Sequence, residues 1–243
     1  MMTLYRVALF CALAGFLAGR PLWAASLGAD TLAARVKACT ACHGEQGRAG
    51  PDGYYPRLAG KPAGYLYHQL LNFRDGRRHY GLMSNLVEPL TDRYLMEIAR
   101  YFADLQVPYP PPARPVVSDS VLAHGRRIAV QGEPQRGVPA CTHCHGERLT
   151  GMLPATPGLL GLPQDYLNAQ LGAWRSGQRR AHAPDCMREV VERLAPADLA
   201  AVAAWLAAQP VPVPAAPAAK SPPPATAARP ACGSDRVATQ GPP

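Results

Sequence analysis

The chain carries the string Cys-x-x-Cys-His twice, as Cys39-Thr40-Ala41-Cys42-His43 and as Cys141-Thr142-His143-Cys144-His145. Two thiols at this spacing can add to the two vinyl groups on one edge of a porphyrin. The histidine that follows can then present its imidazole to the iron as an axial ligand. The same thiols could hold zinc or cycle as a dithiol, and both alternatives are weaker. Structural zinc needs four ligands per site and has no need of histidine directly after the second cysteine. A thioredoxin-like dithiol belongs at a strand-to-helix junction, and the sequence has no parallel-sheet pattern. Two copies, each heading a matching repeat, point to two covalently bound haem c groups. Cys39, Cys42, Cys141 and Cys144 would attach them, with His43 and His145 as axial iron ligands.

An electron-transfer haem also needs a ligand on its other face, usually Met or His. Internal repetition selects one. The haem cysteines recur at an offset of 102 (141 − 39) and the last apolar helices at 104 (199 − 95), and the second offset sets Met83 opposite Met187. Met96 falls opposite Ala200 and Met152 opposite Gly50, so these read as core or loop residues. Met83 and Met187 are expected in a loop that crosses the haem face opposite the histidine. The remaining histidines have no such pairing: His68 meets Ala169 and His79 meets Arg180, while His143 sits inside the attachment loop and His124 opens the second unit. His182 and Cys186 lie beside Met187 in a loop three residues longer than its counterpart. A Cys186 thiolate on iron would lower the potential and favour sulfur chemistry, but the pairing points to Met187.

Four arginines recur with the repeat: Arg74, Arg78, Arg175 and Arg179. Their guanidinium forks suit haem propionates; the competing reading is positive charge at a solvated helix end. Cys186 and Cys232 remain once four cysteines go to haem and Cys11 goes with the leader. In an oxidising compartment they could form a disulfide.

These residues need elements to hold them, and the repeat supplies those. Tyr65-Leu66-x-x-Gln69-Leu70-x-x-Phe73-Arg74-x-Gly76-x-Arg78 returns as Tyr166-Leu167-x-x-Gln170-Leu171-x-x-Trp174-Arg175-x-Gly177-x-Arg179. The apolar positions recur at helical spacing. Each copy ends in an apolar helix, with Thr91 suited to N-cap one and Pro196 to the first turn of the other. The expectation is an all-α chain of two tandem units, 26–106 and 119–208. A Pro-rich linker, 107–118, would act as a semi-rigid strap. From residue 209 to 243 the Pro/Ala-rich composition predicts a disordered tail.

The first 25 residues read as a cleavable export signal: Arg6, an apolar run from Val7 to Gly19, then Ala24 and Ala25. The run is short for a membrane span, which needs roughly 20 residues. The location expected is periplasmic. The net charge of +8 includes Arg6 and Arg20 of that leader, so the mature surface is mildly basic. Such a surface suits acidic redox partners or association with a membrane surface. The basic residues form no dense block, which argues against nucleic acid.

Taken together, the two motifs, the Tyr-Leu-x-x-Gln-Leu strings, the Met83 and Met187 segments and Gly137-Val138-Pro139-Ala140-Cys141 resemble the dihaem cytochrome c4 family over about residues 33–206. The resemblance implies two class I cytochrome c folds facing each other across a pseudo-twofold axis, each haem ligated by His and Met. It implies a carrier rather than an enzyme. The donor would be a quinol:cytochrome c reductase or a dehydrogenase, and the acceptor a terminal oxidase. The longer Cys186 loop and the tail depart from the family pattern. The alternatives are a haem enzyme of sulfur-compound oxidation or peroxide reduction, using Cys186 or an open haem site, and an electron-accepting subunit docked on a dehydrogenase.

Overall fold

The computed structural model describes residues 31–50, 52–219 and 232–237. The export signal expected at 1–25 lies outside the described residues. Among those described, no helix is long and apolar enough to cross a membrane.

Each half of the chain builds its own helical core. The first half forms α1 (Leu32–Arg35), α2 (Lys37–His43), α3 (Ala63–Arg74), α4 (Gly81–Val87) and α5 (Asp92–Asp104). Their apolar faces meet around Val36, Leu66, Leu71, Leu95, Ile98 and Phe102. The second half forms α6 (Asp119–Gln131), α7 (Cys141–His145), α8 (Gln164–Arg175), α9 (Cys186–Glu192) and α10 (Pro196–Ala207). Ile128, Val138, Leu167, Val191, Leu199 and Val202 lie at their centre. A small antiparallel ribbon, β1 (Gly151–Met152) with β2 (Thr156–Pro157), pairs Gly151 with Pro157 and Met152 with Thr156. A short α11 (Gly233–Val237) follows Cys232.

Local chemistry sets the helix ends. The Thr91 hydroxyl accepts from the Tyr94 N–H, and α5 then buries Leu95, Ile98, Ala99 and Phe102 along one face. Pro196 stands in the first turn of α10, where its missing N–H costs nothing. In its second turn, α10 packs closely against α6. A β-carbon at Gly125 would lie 2.1 Å from the Ala201 carbonyl oxygen, so only glycine lets these backbones touch. The crossing is locked by Asp198, which accepts from Arg136 at 2.7 Å, from His124 at 2.7 Å and from the Ala195 N–H at 2.9 Å.

The units meet along a nearly symmetric seam. Arg78 and Arg179 form an antiparallel bridge. On either side of it the His79 N–H donates to the Gln178 carbonyl (2.8 Å) and the Arg180 N–H to the Arg77 carbonyl (2.7 Å). The Pro-rich linker is pinned to both units. The Arg57 guanidinium donates to the carbonyls of Val107 and Pro108 and stacks 3.8 Å over the Tyr109 ring. That ring lies flush on Gly161, where a β-carbon would come within 2.4 Å of it.

The segment expected to be disordered is held where it is described. The Ala218 N–H donates to the Gly151 carbonyl and the Leu153 N–H to the Ala218 carbonyl, both at 2.9 Å. Arg148 donates to the Pro214 carbonyl at 3.1 Å. Proline and alanine cannot build a core, but an open ribbon edge offers backbone partners that require no large side chain. Farther on, Cys232 is joined to Cys186 by a disulfide with Cα atoms 5.6 Å apart. Residues 220–231 and 238–243 lie outside the described residues.

Candidate functional site

The two Cys-x-x-Cys-His strings form α2 and α7, short helices that place each histidine inward. His43 is 8 % exposed and His145 is 6 % exposed. The rings are held alike: Nδ1 of His43 is 2.7 Å from the Pro56 carbonyl, and Nδ1 of His145 is 2.7 Å from the Pro157 carbonyl. A carbonyl only accepts, so Nδ1 carries the proton in both rings and Nε2 presents its lone pair. That is the tautomer a metal ligand needs, fixed by the partner of its other nitrogen. Burial pushes His43 below the usual imidazole pKa, with Arg78 acting in the same direction against the Pro56 bond. Cys39, Cys42, Cys141 and Cys144 form no disulfide. Burial raises the Cys39 thiol and pushes Cys141 up to about 11, so both stay protonated at neutral pH.

A cavity of about 560 Å³ opens beside α2, lined by Cys39, Cys42, His43 and Met83, and it runs on to Gln170 and Arg179 of the second unit. Met83 and Met187 do not lie in loops. They occupy the first turns of α4 and α9, where Asp185 caps the second helix by accepting from the Arg188 N–H at 3.1 Å. A helix fixes the thioether's approach more tightly than a loop would. Met187 packs with Cys141 against the second core. A second recess, of about 400 Å³, reaches Cys144 between Cys186, Val190 and Arg193.

The four repeat arginines separate into two pairs. Arg74 donates to the Leu90 carbonyl (3.2 Å) and to Asp92 (2.6 Å), and Arg175 to the Leu194 carbonyl (2.6 Å). Both brace the turn before the terminal helix, and neither lines the cavity. Arg78 and Arg179 converge on the seam instead. Arg78 donates to Gln69 (2.9 Å) and Gln170 (2.7 Å), and Arg179 to Gln170 (2.8 Å), Gln69 (3.1 Å) and the Tyr65 hydroxyl (3.3 Å). Their guanidiniums also stack over Phe73 and Trp174.

Arg179 is 4 % exposed, yet among the described residues neither it nor Arg78 has a carboxylate partner. Buried cations are ordinarily paired. The local positive excess is visible at Tyr65: its burial favours the neutral phenol, but Arg179, Arg78 and Lys61 outweigh that and lower its pKa. Trp174 Nε1 is likewise buried with no acceptor. Two guanidiniums that line the cavity with no carboxylate partner fit carboxylate groups brought by a prosthetic group. Together with the oriented imidazoles and unbridged thiols, they fit haem c.

Two features escaped the sequence reading. The carbonyls of Pro56 and Pro157 fix the ligand tautomers; both open the Pro-x-Leu-x-Gly strings that recur after each motif, and that recurrence was the available signal. The glutamine pair Gln69 and Gln170 knits the arginines together. Cys186, its sulfur bound to Cys232, has no thiolate to offer iron.

No family model matches the chain. The thiosulfate dehydrogenase electron acceptor of Thiomonas intermedia is 38% identical over 193 residues, covering 79% of this chain and 88% of that protein. Cytochrome c4 of Pseudomonas aeruginosa is 32% identical over 181 residues, covering 73% and 87%. The crystal structure of reduced recombinant cytochrome c4 from Pseudomonas stutzeri superposes with a TM-score of 0.62 at 29% identity, over 71% of this chain and 94% of that one. Thiosulfate dehydrogenase (TsdBA) from Marichromatium purpuratum gives 0.63 at 35% identity; it matches 71% of this chain, which spans only 36% of that one.

Proposed function

Because the chain belongs to the cytochrome c4 family, with its tandem class I cytochrome c fold, we propose that it is an exported dihaem electron carrier that accepts electrons from a thiosulfate-oxidising dehydrogenase. The observation that supports this reading is the matched pair of buried histidines, each held at Nδ1 by a proline carbonyl, which fixes the tautomer that a metal ligand needs. A haem c bound at each site supplies reversible one-electron chemistry. Cys39 with Cys42, and Cys141 with Cys144, would attach the haems covalently. His43 with Met83, and His145 with Met187, would ligate the irons. Arg78 and Arg179, on the seam, would offset propionate charge. The mature periplasmic chain, after removal of residues 1–25, then comprises units 26–106 and 119–208 joined by the strap 107–118, and the tail 209–243.

The relative from Thiomonas intermedia supports the choice of donor. A quinol-oxidising complex as donor, with a terminal oxidase as acceptor, is the second reading, the one that the resemblance to the cytochrome c4 family implies. The bonded state of Cys186 supports a carrier over an enzyme of sulfur chemistry.

The test is to mix the oxidised dihaem protein with a purified thiosulfate dehydrogenase and follow the haem α-band. Both haems should reduce when thiosulfate and dehydrogenase are present together. Turnover of thiosulfate by the protein alone would overturn the carrier reading. Reduction by a quinol-oxidising complex but not by the dehydrogenase would move the donor assignment to that complex.

A further inference from the structure

We infer that His68 and His182 form a buried two-coordinate site for a soft monovalent metal ion, copper(I) by chemical class, at the seam between the units. His68, on α3, is 2 % exposed. Both of its ring nitrogens, and Nε2 of His182, are buried without a hydrogen-bond partner. The two ring centroids are 6.1 Å apart and the ring planes are inclined at 65°. An ion between two imidazoles in line spans a comparable distance: two bonds of about 2 Å plus the reach from each nitrogen to its ring centre.

The surrounding construction is specific to this seam. In the repeat His68 stands opposite Ala169, and His182 belongs to the three-residue extension of the second Met loop. The segment after Cys232 closes over the same place. The Gly233 N–H donates to the Pro184 carbonyl at 3.0 Å, and a β-carbon at Gly233 would meet the His182 carbonyl oxygen at 2.3 Å. Thus the features that break the internal repeat, a histidine, a longer loop and a stapled tail, converge on one point.

The chemistry of the donors selects the ion. No group of three or more His, Cys, Asp or Glu side chains converges on a metal-sized point among the described residues, so the four ligands of zinc are missing. Two neutral imidazoles suit a d¹⁰ ion content with two ligands in line. Burial lowers the pKa of both rings, that of His68 to about 4, so their lone pairs are available at neutral pH. Asp235 faces His68 and Asp75 faces His182, while Arg77 opposes both, a balance that admits a singly charged ion more readily than a dication.

The experiment uses the full chain with both haems in place. Silver(I), as a redox-inert stand-in, and copper(I) under anaerobic conditions are titrated against a competing chelator. One tight equivalent is expected per chain, with X-ray absorption reporting two nitrogen neighbours. Loss of even an outer-shell partner weakens metal sites by about 10- to 100-fold, so His182→Ala, which removes a ligand, should weaken this one by at least about 100-fold. His79→Ala should leave it unchanged. His182 is on a loop, so unaltered haem spectra will certify that variant even if His68→Gln does not fold. No tight equivalent in the parent protein, pointing to a bridging water, or equal affinity in His182→Ala, overturns the assignment.

Discussion

Replacing Asp198 with asparagine tests how the second haem site is held. Asp198 is 7 % exposed. It ties the start of α10 to His124 on α6 and to Arg136, five residues ahead of Cys141. Burial alone would raise its pKa, but the bonds from Arg136, His124 and the Ala195 N–H outweigh that and bring it to about 2, against 3.8 for a free aspartate. A folded-state pKa depressed by nearly two units corresponds to about 2 kcal/mol of stability. The sign is fixed: the contribution is complete above the unfolded-state pKa near 4 and is lost as pH falls toward 2. Asparagine keeps the shape and one acceptor for Ala195 but cannot carry the charge. The variant should therefore be about 2 kcal/mol less stable at pH 7, or about 4–8 °C lower in melting temperature for a protein of this size. The deficit should shrink to a few tenths near pH 2. Calorimetric unfolding of both haem-loaded proteins across that range provides the measurement. A deficit as large at pH 2 as at pH 7 would mean that Asp198 acts through packing, and the electrostatic account would be wrong.

Met83→Ala should abolish the sulfur-to-iron charge-transfer band of one haem and leave the other intact, read by near-infrared magnetic circular dichroism. The basis is the position of Met83 on the same cavity as His43. Cys186→Ser/Cys232→Ser opens a covalent loop of 46 residues. The chain-entropy relation puts its contribution at about 4 kcal/mol, and denaturant unfolding with and without reductant should recover most of it. Gly125→Val sets a side chain against the Ala201 carbonyl, which is 2.1 Å from the would-be β-carbon. It should cost at least about 3 kcal/mol, the upper range for overpacking, in the same assay, because two backbones must part.

What was legible in the chain was whatever recurs at short range. The haem motifs announce their chemistry by spacing alone, and the caps at Thr91 and Pro196 are local rules that the helices obey. The repeat also singled out Arg78 and Arg179, but it flagged Arg74 and Arg175 equally. Only the packing separates a pair facing the seam from a pair bracing carbonyls at Leu90 and Leu194. Composition gave no notice of the contacts within 209–219, because backbone pairing to a ribbon edge leaves no mark on side-chain usage. The Asp198 network joins residues 62 and 74 positions apart, and nothing in a linear string encodes that meeting. The same holds for His68 and His182, brought together by two different units and a tail.

The Cys186–Cys232 bond also changes the covalent topology of the molecule. It makes a closed ring of the stretch from α9 to the tail, with the whole of α10 inside it. A single proteolytic cut within that ring leaves one covalent piece, which would separate into two only after reduction. Mechanical load arriving at the C-terminal end would enter the fold at Cys186, beside Met187, and bypass α10 entirely. The terminal segment is thus fastened to the helix that carries a candidate iron ligand, rather than to the helix that precedes it in the chain.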